Sequence, residues 1–81
     1  MEQKIKGDVN INIGKNIHEL RKARNIRQID MVREMQLRGT PITRESLVKI
    51  EGGRQHIFAS QLEVIRDILG VSYDDLLRRR E

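Results

Sequence analysis

Between Thr43 and Lys49 the chain sets out side chains that can donate or accept hydrogen bonds at base edges: Arg44, Glu45 and Lys49, with Ser46 at the margin. They share one side of a short helical pattern. Leu47 and Ile50, three residues apart, mark the other side together with Thr43 or Ile42 a turn back, and that side packs inward. Thr43 has the chemistry of an N-cap, and Gly52-Gly53 supplies a residue without a Cβ where a helix should stop. The helix is therefore only about two to three turns long, a size that a DNA major groove accommodates.

Other chemistry finds little support. His18 and His56 stand far apart with no second ligand at helical spacing, so they are expected at an exposed helix position and a loop position, with no metal bound. Ser60 and Ser72 lack a histidine and carboxylate arrangement and read as caps, not nucleophiles. No GxGxxG or GxxxxGK phosphate loop occurs, and the acidic residues are spread without a catalytic pair. The expectation is a protein that is not an enzyme and takes no cofactor.

The bulk properties narrow the partner. Eighty-one residues allow one small domain with one core. Phe58 and Tyr73 are the only aromatics, so that core must come from Ile, Leu, Val and Met. The absence of cysteine removes disulfides and thiolate chemistry and fits a reducing cytosol. No apolar run approaches a membrane span, and Met1-Glu2-Gln3-Lys4 does not open a signal peptide, so a cytoplasmic chain is expected. The net charge of +4 is carried mainly by arginine, the better reader of phosphate and guanine, which favours nucleic acid over membrane as the acidic partner.

The elements follow from spacing. In residues 1–12, Val9, Ile11 and Ile13 alternate with polar neighbours as a strand does; the segment is either a flexible arm or a strand paired with its copy in a second subunit. Ile13, Ile17 and Leu20 then recur at helical spacing up to Asn25, with Asn12 as cap and His18, Glu19, Arg21, Lys22 and Arg24 outward. Met31, Val32 and Met35 give a second helix over 27–37, and Arg38-Gly39-Thr40-Pro41 breaks it. After the third helix, residues 55–59 are a connector. Ser60 with Glu63 reads as a capping box for a fourth helix that ends at Gly70, and Ser72 with Asp75 caps a fifth that carries Leu76 and Leu77. Arg78-Arg79-Arg80 is a basic tail over 78–81, either solubilising or a distal phosphate contact.

Four fragments in this order resemble the lambda-repressor-like, Cro-type helix-turn-helix family, also called the XRE family. They are Ile13-Gly14-Lys15-Asn16-Ile17 with Glu19-Leu20-Arg21-Lys22; Gln28 opening helix two; Ile50-Glu51-Gly52-Gly53-Arg54; and Leu69-Gly70-Val71-Ser72 with Asp75-Leu76-Leu77. The resemblance covers residues 13–77 and implies an all-α, five-helix DNA-binding domain of the longer-turn branch, because Gln36-Leu37-Arg38-Gly39-Thr40-Pro41 replaces the tight turn. Val32 stands where the family favours alanine, and Arg66 where a small residue is usual in helix four.

The resemblance implies roles for single residues. Arg44 and Glu45 look like base readers, Arg44 suited to guanine and Glu45 either to a cytosine amino group or to orienting Arg44; Lys49 looks like the reader one turn on. Thr43 looks like a methyl or phosphate contact and Ser46 a phosphate contact. Arg27 and Gln28 resemble a phosphate clamp at the start of helix two, and Arg54 with Gln55 a second one. Glu51, a carboxylate that would be unfavourable beside DNA, looks structural, tying helix three to a neighbouring helix or arginine. The implied function is a sequence-specific regulator of double-stranded DNA, a repressor acting as a homodimer on an inverted repeat. Dimerisation would use Tyr73, Leu76 and Leu77, or the strand with Val9 and Ile11. The rival is an antitoxin-like or adaptor module that binds a protein partner.

Overall fold

The computed structural model describes residues 4–5 and 11–79. Among them are two short strands, β1 (Lys4–Ile5) and β2 (Ile57–Phe58), and five helices: α1 (Ile13–Ala23), α2 (Gln28–Leu37), α3 (Arg44–Glu51), α4 (Ala59–Leu69) and α5 (Tyr73–Leu76). The helices start and stop where local chemistry directs. Asn12 Oδ1 accepts the Lys15 N–H at 3.0 Å, and Thr43 Oγ1 accepts that of Ser46 at 3.0 Å. Ser72 and Asp75 exchange side-chain-to-backbone bonds at 3.1 Å each, a complete capping box on α5. At the end of α1, Asn25 takes the left-handed conformation (φ 57°) and lets Ile26 N–H reach back to Arg21 O, so the chain leaves the helix and turns into α2.

One core joins all five helices. Ile13 and Ile17 of α1, Met31 and Met35 of α2, Leu47 and Ile50 of α3, Leu62, Ile65 and Leu69 of α4, and Leu76 of α5 are buried together with Ile42 and Ile57. Each such side chain, removed fully from water, contributes about 1.5–3 kcal/mol before conformational entropy is set against it. Val32 lies half-buried against this core, so the valine is accommodated as a packing residue. Gly14 marks the closest approach of α1 to α3: a Cβ there would collide with the carbonyl oxygen of Ile50.

Three expectations are corrected. The strand is Lys4–Ile5, earlier than the Val9–Ile13 alternation, and its partner lies within the chain: Lys4 stands opposite Phe58 and Ile5 opposite Ile57, antiparallel. Ile13 opens α1 behind the Asn12 cap, as its helical spacing predicts, and Ile11 is irregular and half-buried on the core; Val9 lies outside the described residues. The connector at 55–59 therefore contains β2. Finally, α4 begins at Ala59 with Phe58 at its N-cap, whose N–H is accepted by Gln61 Oε1 at 2.9 Å; Ser60 sits inside the first turn. The pairing of β2 sets Phe58 in extended backbone one residue before the helix, which places the cap two positions earlier than Ser60.

Candidate nucleic-acid interface

α3 has two unlike sides. Leu47 and Ile50 are buried, while Thr43, Arg44 and Glu45 are exposed and Ser46 and Lys49 are half-exposed. The Thr43 hydroxyl oxygen accepts the Ser46 N–H in capping and keeps its own O–H free to donate outward. Glu45 and Lys49, one turn apart, form an ion pair at 2.9 Å, and the Lys49 ammonium holds the Glu45 carboxyl below its usual range. Glu45 is thus partnered by Lys49, one turn along the helix, and not by Arg44. Arg54 follows α3 after two glycines, its N–H bonded to Lys49 O at 2.8 Å across Gly53, whose φ of 76° suits glycine; Arg54 and Gln55 are both exposed.

The end of α3 is fastened by a carboxylate. Glu51 receives Arg21 Nε at 2.8 Å and Arg21 Nη2 at 2.9 Å, a bidentate pair, and lies 2.8 Å from His18 Nδ1 and 3.3 Å from Gln28 Nε2. The remaining Arg21 nitrogen donates to Ile26 O at 2.7 Å. One ion pair therefore links α1, the α1–α2 turn, the start of α2 and the end of α3. Both charged side chains are almost fully buried, at 7% and 4% exposure. Burial opposes ionisation of Glu51, but the hydrogen bonds from Arg21 and His18 and the charge of Arg21 outweigh it, so its pKa is lowered. The structural role expected for Glu51 is observed, whereas Arg21, expected outward, is buried, its guanidinium hydrogen-bonded to Glu51 on α3 and to Ile26 O in the α1–α2 turn.

Arg27 and Gln28 are placed less simply than a clamp would require. Arg27 is exposed and bidentate to Asp30, at 2.9 and 3.1 Å, an exchangeable surface pair that also lowers the Asp30 pKa. Gln28 leans on Glu51. Even so, both residues border an open groove together with Arg44 from α3 and with His18, Arg21 and Lys22 from α1, across the turn at Asn25–Ile26. The fold thus brings Arg27, Gln28 and Arg44 to one concavity; Ser46, Lys49, Arg54 and Gln55 lie outside its lining. The α1 contribution escaped the sequence reading, although His18, Arg21 and Lys22 at i, i+3 and i+4 near a helix end were a signal for it.

Comparison with protein-family models, curated proteins and solved structures found no match to this chain. The fold and the site therefore stand on their own chemistry. Among the described residues no helix is long and apolar enough to cross a membrane, and no three His, Cys, Asp or Glu side chains gather as metal ligands.

The residues assigned to dimerisation divide. Leu76 is fully buried in the chain's own core and is not available to a second copy, because α5 is a single turn that docks by that residue. Tyr73 and Leu77 stay partly exposed. Arg66 pairs with Asp67 at 2.8 Å and lies over the Tyr73 ring at 4.4 Å, so its guanidinium covers part of that surface. Asn16, buried in α1, holds the end of α5 by donating to Leu76 O at 2.8 Å and Arg78 O at 3.1 Å.

Proposed function

We propose that the chain is a sequence-specific, double-stranded DNA-binding transcription regulator of the lambda-repressor-like helix-turn-helix type, acting as a homodimeric repressor on an inverted repeat. In this reading α2 and α3 are the two helices of the motif, joined by the longer turn, and α3 lies in the major groove. The observation that carries it is the two-sided α3: its apolar side is buried, and its outer side offers Arg44, Glu45 and Lys49 beside a groove rich in arginine and lysine. Arg44 reads a base edge and Lys49 a second, after exchanging its intrahelical partner; Arg27, Gln28, Arg54 and Gln55 meet phosphates.

A single short helix reads too few base pairs to select a site, so two copies on half-sites about 34 Å apart are required. Tyr73 of α5 and Leu77 just after it are the exposed side chains suited to that contact. The test is enrichment of bound duplexes from a random library at near-physiological salt: an inverted repeat supports the reading. No enrichment by folded protein, or affinity insensitive to salt, favours the antitoxin-like or adaptor alternative. Arg44→Ala should cost about 1–3 kcal/mol of specific binding and relax preference at one base position, measured by anisotropy on the selected site.

A further inference from the structure

Resting on the DNA-binding reading, we infer that His18 is a proton-controlled phosphate contact in the groove between α1 and the start of α2. Its ring is half-exposed and borders the groove beside Lys22, Arg27, Gln28 and Arg44, where the proposed interface brings the DNA backbone. The ring nitrogens face different surroundings. Nδ1 is 2.8 Å from Glu51 Oε1, an acceptor, and 3.2 Å from Arg21 Nη2, which donates to that same oxygen at 2.9 Å; the shorter contact assigns the hydrogen to Nδ1, donated to Glu51. Glu51 is itself fixed by Arg21, which sets the orientation of the ring. With Nδ1–H committed, Nε2 is the atom that gains or loses the proton. Neutral, it presents a lone pair to a phosphate oxygen; protonated, it presents a charged donor.

The charged groups around the ring are Glu51 from α3, Arg21 and Lys22 from the same helix, with Arg21 Nη2 at 3.2 Å from Nδ1, Arg27 at the α2 cap, and Arg44 on α3 across the groove. A phosphate entering this concavity would screen those four cations and face Nε2, so DNA and the proton bind cooperatively. The sign follows directly: each proton gained at Nε2 adds a charged donor facing the phosphate, so affinity rises as pH falls.

The experiment uses the full chain and a mixed-sequence duplex of about two helical turns, with affinity measured at constant ionic strength between about pH 5.5 and 8. Wild type should bind roughly tenfold tighter at the acid end, the worth of one charge-assisted hydrogen bond, with a steeper salt dependence there. His18→Gln can still donate to Glu51 but has no charge to gain, and its affinity should be flat with pH. Its retained His56, exposed in the loop after α3, serves as an internal control. A second measurement needs no variant: adding duplex at pH 7 should move the His18 imidazole resonances toward their protonated positions. Equal pH slopes in wild type and His18→Gln overturn the inference and leave DNA binding standing. So does a His18 resonance that ignores duplex while α3 amides shift. Failure of folded wild type to bind any duplex overturns both.

Discussion

Two glutamates on one short helix, Glu45 at its start and Glu51 at its end, show how burial decides what an ion pair is for. Both sit beside basic partners at 2.8–2.9 Å. Glu45 has 78% of its side chain in water, and Lys49 can leave it for a base or a phosphate at little cost. Glu51 has 4% exposure, and Arg21 has nowhere else to go. The first pair is a surface feature ready to be exchanged on binding; the second fixes the angle at which α3 leaves the rest of the domain.

The sharpest way to break this comparison is Glu51→Ala. It leaves the Arg21 guanidinium buried without its carboxylate and should cost about 3–5 kcal/mol in urea unfolding, whereas converting Arg21 and Glu51 together to apolar residues of similar volume should recover most of that loss. A Glu51→Ala protein as stable as wild type would mean the buried pair is not structural. Gly14→Ala tests the same junction from the α1 side. Its Cβ meets the Ile50 carbonyl, so α1 and α3 must separate, and the expected cost is about 1–3 kcal/mol or somewhat more by the same assay.

Acid should separate the two glutamates next. The Glu51 pKa lies below the ordinary value near 4.5, so its contribution is present at neutral pH and is lost as pH falls below that value. The urea midpoint of wild type should therefore drop in acid, and that of Glu51→Gln should drop less, from a lower starting point. Smallest of all is Glu45→Ala, which should leave the midpoint unchanged and alter only the base preference of binding; a clear loss of stability would place Glu45 in the same class as Glu51.

The helices were legible because their signals are local. The spacings Ile13/Ile17, Met31/Met35 and Leu47/Ile50, the caps Asn12, Thr43 and Ser72, and the left-handed Asn25 are all decided within one or two turns of chain. What was missed depends on partners far along the sequence. Arg21 is drawn inside by Glu51, Asn16 by the carbonyls of Leu76 and Arg78, and Leu76 by the whole core. Periodicity alone assigned Arg21 to solvent, since nothing within helix α1 shows that a carboxylate thirty positions away will meet it. The α4 cap failed for a related reason: only Ser60/Glu63 fits the local pattern, and the strand pairing instead puts Phe58, which has no capping side chain, at the N-cap, where its N–H is met by Gln61.

The two-residue ladder between β1 and β2 has a topological meaning. By joining Lys4–Ile5 to Ile57–Phe58 it makes the intervening chain a closed circuit, with α1, α2 and α3 inside it and α4 and α5 outside. A circuit of about fifty residues carries a closure entropy that grows only as the logarithm of its length, so two backbone pairings, the half-buried Ile5 and the Lys4 ammonium over the Phe58 ring are a sufficient clasp once the helices have brought its ends together. The three helices that line the groove are thus gathered within a single loop of chain, and that loop is fastened just beyond the helix proposed to read DNA.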